Sequence, residues 1–216
     1  MSLVSRRVLK EYDARKPFEW GMPHNIPSKL ILEFAYKESM ISDSKFQRAQ
    51  LVEVTDGDVI LFARVAEEVF TKLEALPAII SSPIVNKKTL ELLMGFCPKD
   101  FQAVPVCIKN HPEAKKLKPY CNKDYFLINP LHEVMAINEQ QSKLKYSTSK
   151  LLPYKAIIGI DALVFNLDSM GDKHIALDAT LPMVMISRAL AEYLNKHHIK
   201  GIELITDATS VGYDGT

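Results

Sequence analysis

Hydrophobic and polar positions follow the same pattern in two parts of the chain. In each, an apolar run leads to a polar residue, a short amphipathic segment, a turn and a second apolar run. The polar residues are Asn86 and Ser187, whose side-chain oxygens can accept hydrogen bonds from the free amides of a helix's first turn. The spacing also agrees, because Asn86 precedes Phe101 by as many residues as Ser187 precedes Ile202. The pattern therefore predicts two related strand–helix–strand units.

The remaining apolar runs indicate more strands than helices. Residues 62–76 carry apolar positions at helical spacing and predict one amphipathic helix that ends before Pro77. Pro105 lacks a ladder donor, which favours an edge strand or a bulge. Gly201 follows the second unit's helix, where a left-handed residue is common. Strands are predicted at residues 30–36, 51–54, 59–62, 78–85, 101–108, 125–129, 134–137, 156–160, 163–167 and 174–177. We expect an α/β (α+β) fold with a mixed β-sheet and short flanking helices.

Length and composition fit an ordinary globular protein. The 216 residues, 47% of them hydrophobic, suffice for one domain or two small ones. We predict a core of residues 76–216 and an N-terminal part of residues 1–75, with an arm, strands and a helix packed on that core, as one compact domain overall. No apolar stretch approaches the ~20 residues that span a bilayer, and no signal peptide is evident. We therefore expect a cytoplasmic protein without a membrane partner.

Charge argues against nucleic acid as a partner. The formal net charge is +1, and most basic residues are lysines, whereas base and phosphate readers favour arginine. The local distribution is uneven, because residues 109–155 contain nine lysines against four acidic residues. Such a segment is either a set of solvated loops or a surface that presents positive charge to a partner.

The chain shows no sequence motif for a cofactor, metal or catalytic site. Glycine-rich phosphate loops and nucleophile elbows are absent, and His132-Glu133 lacks the second histidine of a zinc motif. His197 and His198 are adjacent on a helix and do not face each other. The three cysteines are odd in number and lack CxxC spacing, so we expect free thiols in a reducing compartment.

Four residues are candidates for partner binding. Lys87, Lys88 and Arg188 follow the two caps, where cations oppose the helix dipole. They are either long, solvated side chains or contacts to an acidic partner or ligand. Trp20 lies in a proline-rich segment and either pins that segment to the core or anchors an interface.

Four blocks of the sequence carry a family resemblance, namely Ile84-Val85-Asn86-Lys87-Lys88-Thr89-Leu90-Glu91-Leu92-Leu93, Phe101-Gln102-Ala103-Val104-Pro105-Val106, Tyr125-Phe126-Leu127-Ile128-Asn129-Pro130 and Val184-Met185-Ile186-Ser187-Arg188-Ala189-Leu190-Ala191 with the closing Ile199-Lys200-Gly201-Ile202-Glu203. They resemble the bacterial polymorphic-toxin immunity proteins of families eleven and forty-three. The resemblance covers roughly residues 76–205, and Asn86 stands where the family often has serine.

The resemblance implies function by binding, namely neutralisation of a cognate toxin, and it supplies no catalytic residues. We expect the mechanism to be occlusion of the toxin's active site by a complementary surface. Two alternatives stay open from the residues alone. One is an enzyme, a hydrolase or transferase, with a scattered site. The other is a regulatory module that binds a small molecule at the two helix N-termini. A homo-oligomer is also left open.

Overall fold

The protein has the expected α+β architecture. The structure is a computed structural model that describes residues 12–23, 25–80, 82–147 and 157–207. Within them, two large sheets and a two-stranded ribbon are accompanied by short helices. The helices are α1 (Glu67–Phe70), α2 (Lys87–Phe96) and α3 (Arg188–Lys196), with 3-10 turns at Ser28–Leu30 and Asp43–Gln47. The strands are β1 (Phe18–Gly21), β2 (Glu33–Phe34), β3 (Ile60–Ala63), β4 (Ala75–Leu76), β5 (Ile84–Asn86), β6 (Phe101–Asn110), β7 (Cys121–Pro130), β8 (Glu133–Val134), β9 (Lys143–Tyr146), β10 (Ile157–Ala162), β11 (Ile175–Asp178), β12 (Val184–Ile186) and β13 (Glu203–Ile205).

One sheet is curled and encloses its own core. Its strand order is β2-β3-β6-β7-β5-β4. A bridge between Leu32 and Ala78 connects the two ends, and the Leu32 amide donates to the Pro77 carbonyl at 2.8 Å. Alternate side chains of its strands, such as Leu61 and Leu127, point into this interior and are fully buried.

The second sheet is built around the N-terminal strand. Its order is β13-β1-β12-β11-β8, so β1 lies between β12 and β13, the two strands of the second repeated unit. Phe18 pairs with Ile186, and Trp20 pairs with Leu204. The ribbon of β9 and β10 packs Leu144 and Ile160 against the far side of this sheet.

The two predicted units are confirmed and share one topology. In the first, β5 lies between β4 and β7, and β6 pairs with the other side of β7. In the second, β12 lies between β11 and β1, and β13 pairs with the other side of β1. The Asn86 and Ser187 side chains accept the cap hydrogen bonds of α2 and α3. Both helices line a core between the two sheets.

Gln102 and Asn129, which lie in the sequence blocks that carry the family resemblance, stabilise the segment around Val52 through hydrogen bonds. Gln102 accepts a hydrogen bond from the Val52 amide at 3.0 Å and donates to the Val52 carbonyl at 2.7 Å. The fully buried Asn129 donates to Gln102 and to the carbonyl of Gln50. The amide side chain of Gln102 thus replaces a strand partner for the segment around Val52.

Several predicted elements differ from the structure. Residues 62–76 form only the one-turn α1, because Phe62 belongs to β3, where it pairs with β6, and Ala75 belongs to β4. Residues 51–54 form no strand, and the side chain of Gln102 takes both backbone hydrogen bonds of Val52. The prediction for Pro105 is confirmed, because β3 pairs with β6 only from Cys107 onward and β6 is an edge strand at Pro105. The bulge lies nearby, between Val106 and Ile108.

The expectation of three free thiols is wrong. Cys107 and Cys121 form a disulfide across β6 and β7, and Cys97 alone is free. The strand register brings the pair together, because Lys109 opposes Cys121 and the bulge shifts Cys107 towards it. The domain boundary near residue 75 stays a prediction.

Candidate partner-binding surfaces

Lys87 and Lys88 form an exposed basic start to α2. Glu74 brings a carboxylate to this point, with its Oε1 atom 4.0 Å from Nζ of Lys88. The other oxygen of Glu74 accepts a hydrogen bond from the amide of Lys200 at 3.0 Å. Glu74 therefore joins the start of α2 to the turn after α3 and offsets part of the unfavourable dipole interaction. The ammonium group of Lys87 extends from the same turn.

Arg188 is largely occupied within the chain. Its Nε donates to Glu192 Oε1 at 2.8 Å, one helical turn later, and its Nη1 donates to the carbonyl of Tyr12 at 2.9 Å. The side chain is 22% exposed. These contacts reduce the cost of a cation at the start of α3 and hold the segment before β1 against that helix.

Trp20 is half-buried in β1 and packs against the core between the two sheets. Successive side chains of β1 point to opposite faces of the sheet. Phe18 therefore faces the same core as Trp20, and Glu19 faces the other side of the sheet. The four candidates thus divide into an exposed pair on α2 and a partly buried pair that secures the N-terminal segment. The partner-binding role of all four stays a prediction.

The buried thiol lies near acidic and imidazole groups. Burial, with a smaller contribution from Asp100, raises the pKa of Cys97 to about 12, so the thiol stays protonated at neutral pH. Asp100 accepts hydrogen bonds from the amides of His174 and Ile175 at 2.5 and 3.2 Å. Nε2 of His132 lies 3.7 Å from the Asp100 carboxylate, beyond hydrogen-bonding distance. The carboxylate therefore anchors the start of β11.

A cavity of about 550 Å³ lies where the N-terminal segment meets the loops beside the ribbon. Asp207 is hydrogen-bonded beside it, accepting from the Phe165 amide at 2.8 Å and pairing with Lys16. The cavity is lined by Asp13, Lys16, Asn138, Gln141, Phe165, Asn166 and Leu167. Across the residues that the structure describes, no His, Cys, Asp and Glu side chains group in a way that could hold a metal ion.

The arrangement around Arg64 is the feature that sequence reasoning missed. Its guanidinium donates to Glu33 at 2.5 Å and to Glu113 at 2.9 Å, and Nη2 lies 3.1 Å from Nε2 of His111. The hydrogen bond and charge of Arg64 lower the pKa of Glu113. This network fixes one side of the loop between β6 and β7, whose only sequence signal is its excess of lysine.

Comparison with known proteins identifies one family. A model of the immunity protein family Imm11 matches residues 41–209 of the 216-residue chain. No curated protein matches the chain. The matched region includes both repeated units but not β1, the strand that lies between β12 and β13 in the second sheet. In the described ranges, no helix is long and apolar enough to cross a membrane.

Proposed function

The chain belongs to the Imm11 immunity protein family, and from this premise we propose that it binds and neutralises a cognate bacterial toxin. The proposed mechanism is occlusion, in which a complementary surface of this chain covers the toxin's active site. The family match over residues 41–209 is the observation that carries the proposal. The site of action is the cytoplasm of the bacterium that makes the toxin, within a polymorphic toxin system.

The chemistry of the described side chains supports binding over catalysis. The free thiol of Cys97 is protonated at neutral pH, since burial raises its pKa to about 12. The buried carboxylates of Asp100 and Asp178 accept hydrogen bonds from backbone amides and thereby hold loops in place. Exposed lysines, by contrast, lie at the start of α2 and in the loop between β6 and β7. Such groups set the specificity and association rate of a protein interface.

The interface must be larger than the four candidate residues. A stable complex buries roughly 1,600 Å² in total, with a few residues supplying most of the binding energy. We propose Lys87 and Lys88 as direct contacts because they are exposed and only partly neutralised by Glu74. Trp20 and Arg188 are proposed as weaker contributors, since both are already engaged within the chain.

Co-expression tests the function directly. The toxin domain encoded beside this chain's gene is expressed alone, with this chain, and with an immunity protein of another toxin. We expect growth only with this chain, and a stoichiometric complex when the tagged, catalytically inactive toxin is purified. Continued growth arrest together with no co-purification would refute the proposal.

A charge-reversal pair tests the contacts on α2. Lys87→Glu with Lys88→Glu should weaken the complex, whereas Lys29→Glu with Lys37→Glu makes the same charge change at exposed sites elsewhere. Unchanged binding by the α2 pair would exclude that surface and leave the function intact. Light scattering of the free protein and of the complex measures whether a homo-oligomer is the binding species.

A further inference from the structure

The long β6–β7 hairpin ends in a basic loop, residues 111–120, at one end of the curled sheet. Residues 109–123 contain five lysines and one acidic residue, Glu113. Glu113 is already paired with Arg64, and Lys123 is paired with Asp56 at 2.7 Å. Lys115, Lys116 and Lys118 are exposed, and no described carboxylate lies within ion-pair distance of them.

This loop is held in a defined conformation. The Ala114 amide donates to the His111 carbonyl and the Leu117 amide to the Ala114 carbonyl, at 2.8 and 2.9 Å, which turns the chain twice. At the loop's far end the Tyr120 hydroxyl donates to the Val65 carbonyl at 2.8 Å. The Arg64 network fixes the near end through His111 and Glu113.

Order and uncompensated charge together favour a binding role. A loop whose backbone is already fixed loses less conformational entropy when it binds. Three ammonium groups within four residues repel one another, and in the described structure none of the three forms an ion pair with a carboxylate. The net charge of the chain is only +1, so the positive field is local and directs an acidic surface towards this hairpin.

The side chains favour a protein over a nucleic acid. The basic residues of the loop are all lysines, which do not make the bidentate contacts by which arginine reads bases and phosphates. Its one aromatic residue, Tyr120, is half-buried and held by its hydroxyl, so it offers no free face on which a base could stack.

We propose that residues 111–120 are a contact surface for an acidic face of the cognate toxin, with Lys115, Lys116 and Lys118 as the contacts. This inference rests on the proposed function and specifies the charge of the toxin surface. The loop steers association and contributes to specificity, while desolvated contacts elsewhere supply most of the affinity.

The test is a charge-reversal triple with a matched control. Lys115→Glu, Lys116→Glu and Lys118→Glu are combined in one variant. The control combines Lys29→Glu, Lys37→Glu and Lys45→Glu, which are also exposed but alternate with acidic residues. Binding to the immobilised, inactive toxin domain is measured at low and at physiological salt, with circular dichroism as the check on folding.

We expect the loop triple to slow association by about 10-fold or more at low salt and to remove most of the salt dependence, with the control near wild type. Tyr120→Phe keeps every charge but releases one end of the loop, and should give a smaller loss. Equal binding by the folded loop triple and the wild type would overturn the inference while the proposed function stands. Failure of the wild type to bind overturns both. Lysine-dependent binding of single-stranded RNA, with toxin binding unaffected, would also overturn it.

Discussion

Asp178 offers the sharpest test of how the second sheet is held together. Its side chain is buried, with 2% exposure. Oδ2 accepts hydrogen bonds from the amides of Ala136 and Ile137 at 2.8 and 3.0 Å, and Oδ1 accepts from those of Thr180 and Leu181 at the same two distances. One carboxylate therefore joins the loop after β8 to the turn between β11 and β12.

Asp178→Asn preserves the shape of the side chain but halves the number of oxygen atoms that can accept hydrogen bonds. An amide has one acceptor oxygen, so two of the four backbone N–H groups lose their partner and face an NH₂ group. Each buried, unsatisfied donor costs about 1–3 kcal/mol. The free energy of unfolding should fall by roughly 2–6 kcal/mol, a large part of the 5–15 kcal/mol of an ordinary domain.

Urea unfolding at neutral pH, followed by the fluorescence of the single Trp20, measures the change. Asp172→Asn is the matched control, because its side chain is 85% exposed and should alter stability by no more than about 0.5 kcal/mol. A loss of less than about 1 kcal/mol for Asp178→Asn would show that the four hydrogen bonds do not hold this loop as argued.

Three further predictions concern backbone, pH and thiols. Gly201→Ala should unfold the protein or destabilise it severely, because its φ is 94° and an added Cβ would lie 1.8 Å from a carbonyl oxygen of β4; thermal melting measures this. Burial raises the pKa of Glu19 from 4.5 to about 7. The free energy of unfolding should therefore be highest below pH ~4.5, where Glu19 is protonated in both states, and should fall as pH rises through 7. In urea unfolding at pH 8, Glu19→Gln should raise the free energy of unfolding by roughly 3 kcal/mol. Alkylation of the unfolded, unreduced protein should label Cys97 alone, with mass spectrometry showing Cys107 and Cys121 bonded.

Each of these has a control within the chain. Gly95→Ala places a Cβ in open space within α2 and should leave the melting temperature unchanged or raise it slightly, because alanine favours the helix more than glycine does. Glu91→Gln is exposed and should leave the pH profile as in the wild type. A pH dependence that survives Glu19→Gln, or three labelled thiols per chain, would contradict the corresponding prediction.

The repeated units could be predicted because their signals are local. Asn86, Ser187 and Gly201 act on residues within one helical turn, and the structure places each in the expected cap or left-handed conformation. The helix predicted at residues 62–76 fails for the opposite reason. Its apolar stripe is real, but Phe62 and Ala75 are drawn into strands by partners distant in the chain.

The candidate surfaces could be predicted only in part. The lysine excess near residues 109–123 is visible in the sequence, yet the order of the loop depends on Arg64, which comes from another strand end. Likewise, the spacing of Cys107 and Cys121 carries no signal, because strand register brings them together. The sequence around Trp20 is compatible with a residue that anchors the segment to the core and with an interface residue. Only its strand pairing with Leu204 distinguishes the two.

The place of β1 has a consequence for how the chain matures during synthesis. The first repeat takes its central strand from the segment that immediately follows it, so it can close soon after it leaves the ribosome. The second repeat takes its central strand from a segment far earlier in the sequence, because Phe18 must pair with Ile186. Until β12 and β13 have been synthesised, the apolar side of β1 lacks its partners, and such distant pairing is slow. The second sheet is therefore the part of a newly made molecule most exposed to aggregation or to capture by a chaperone.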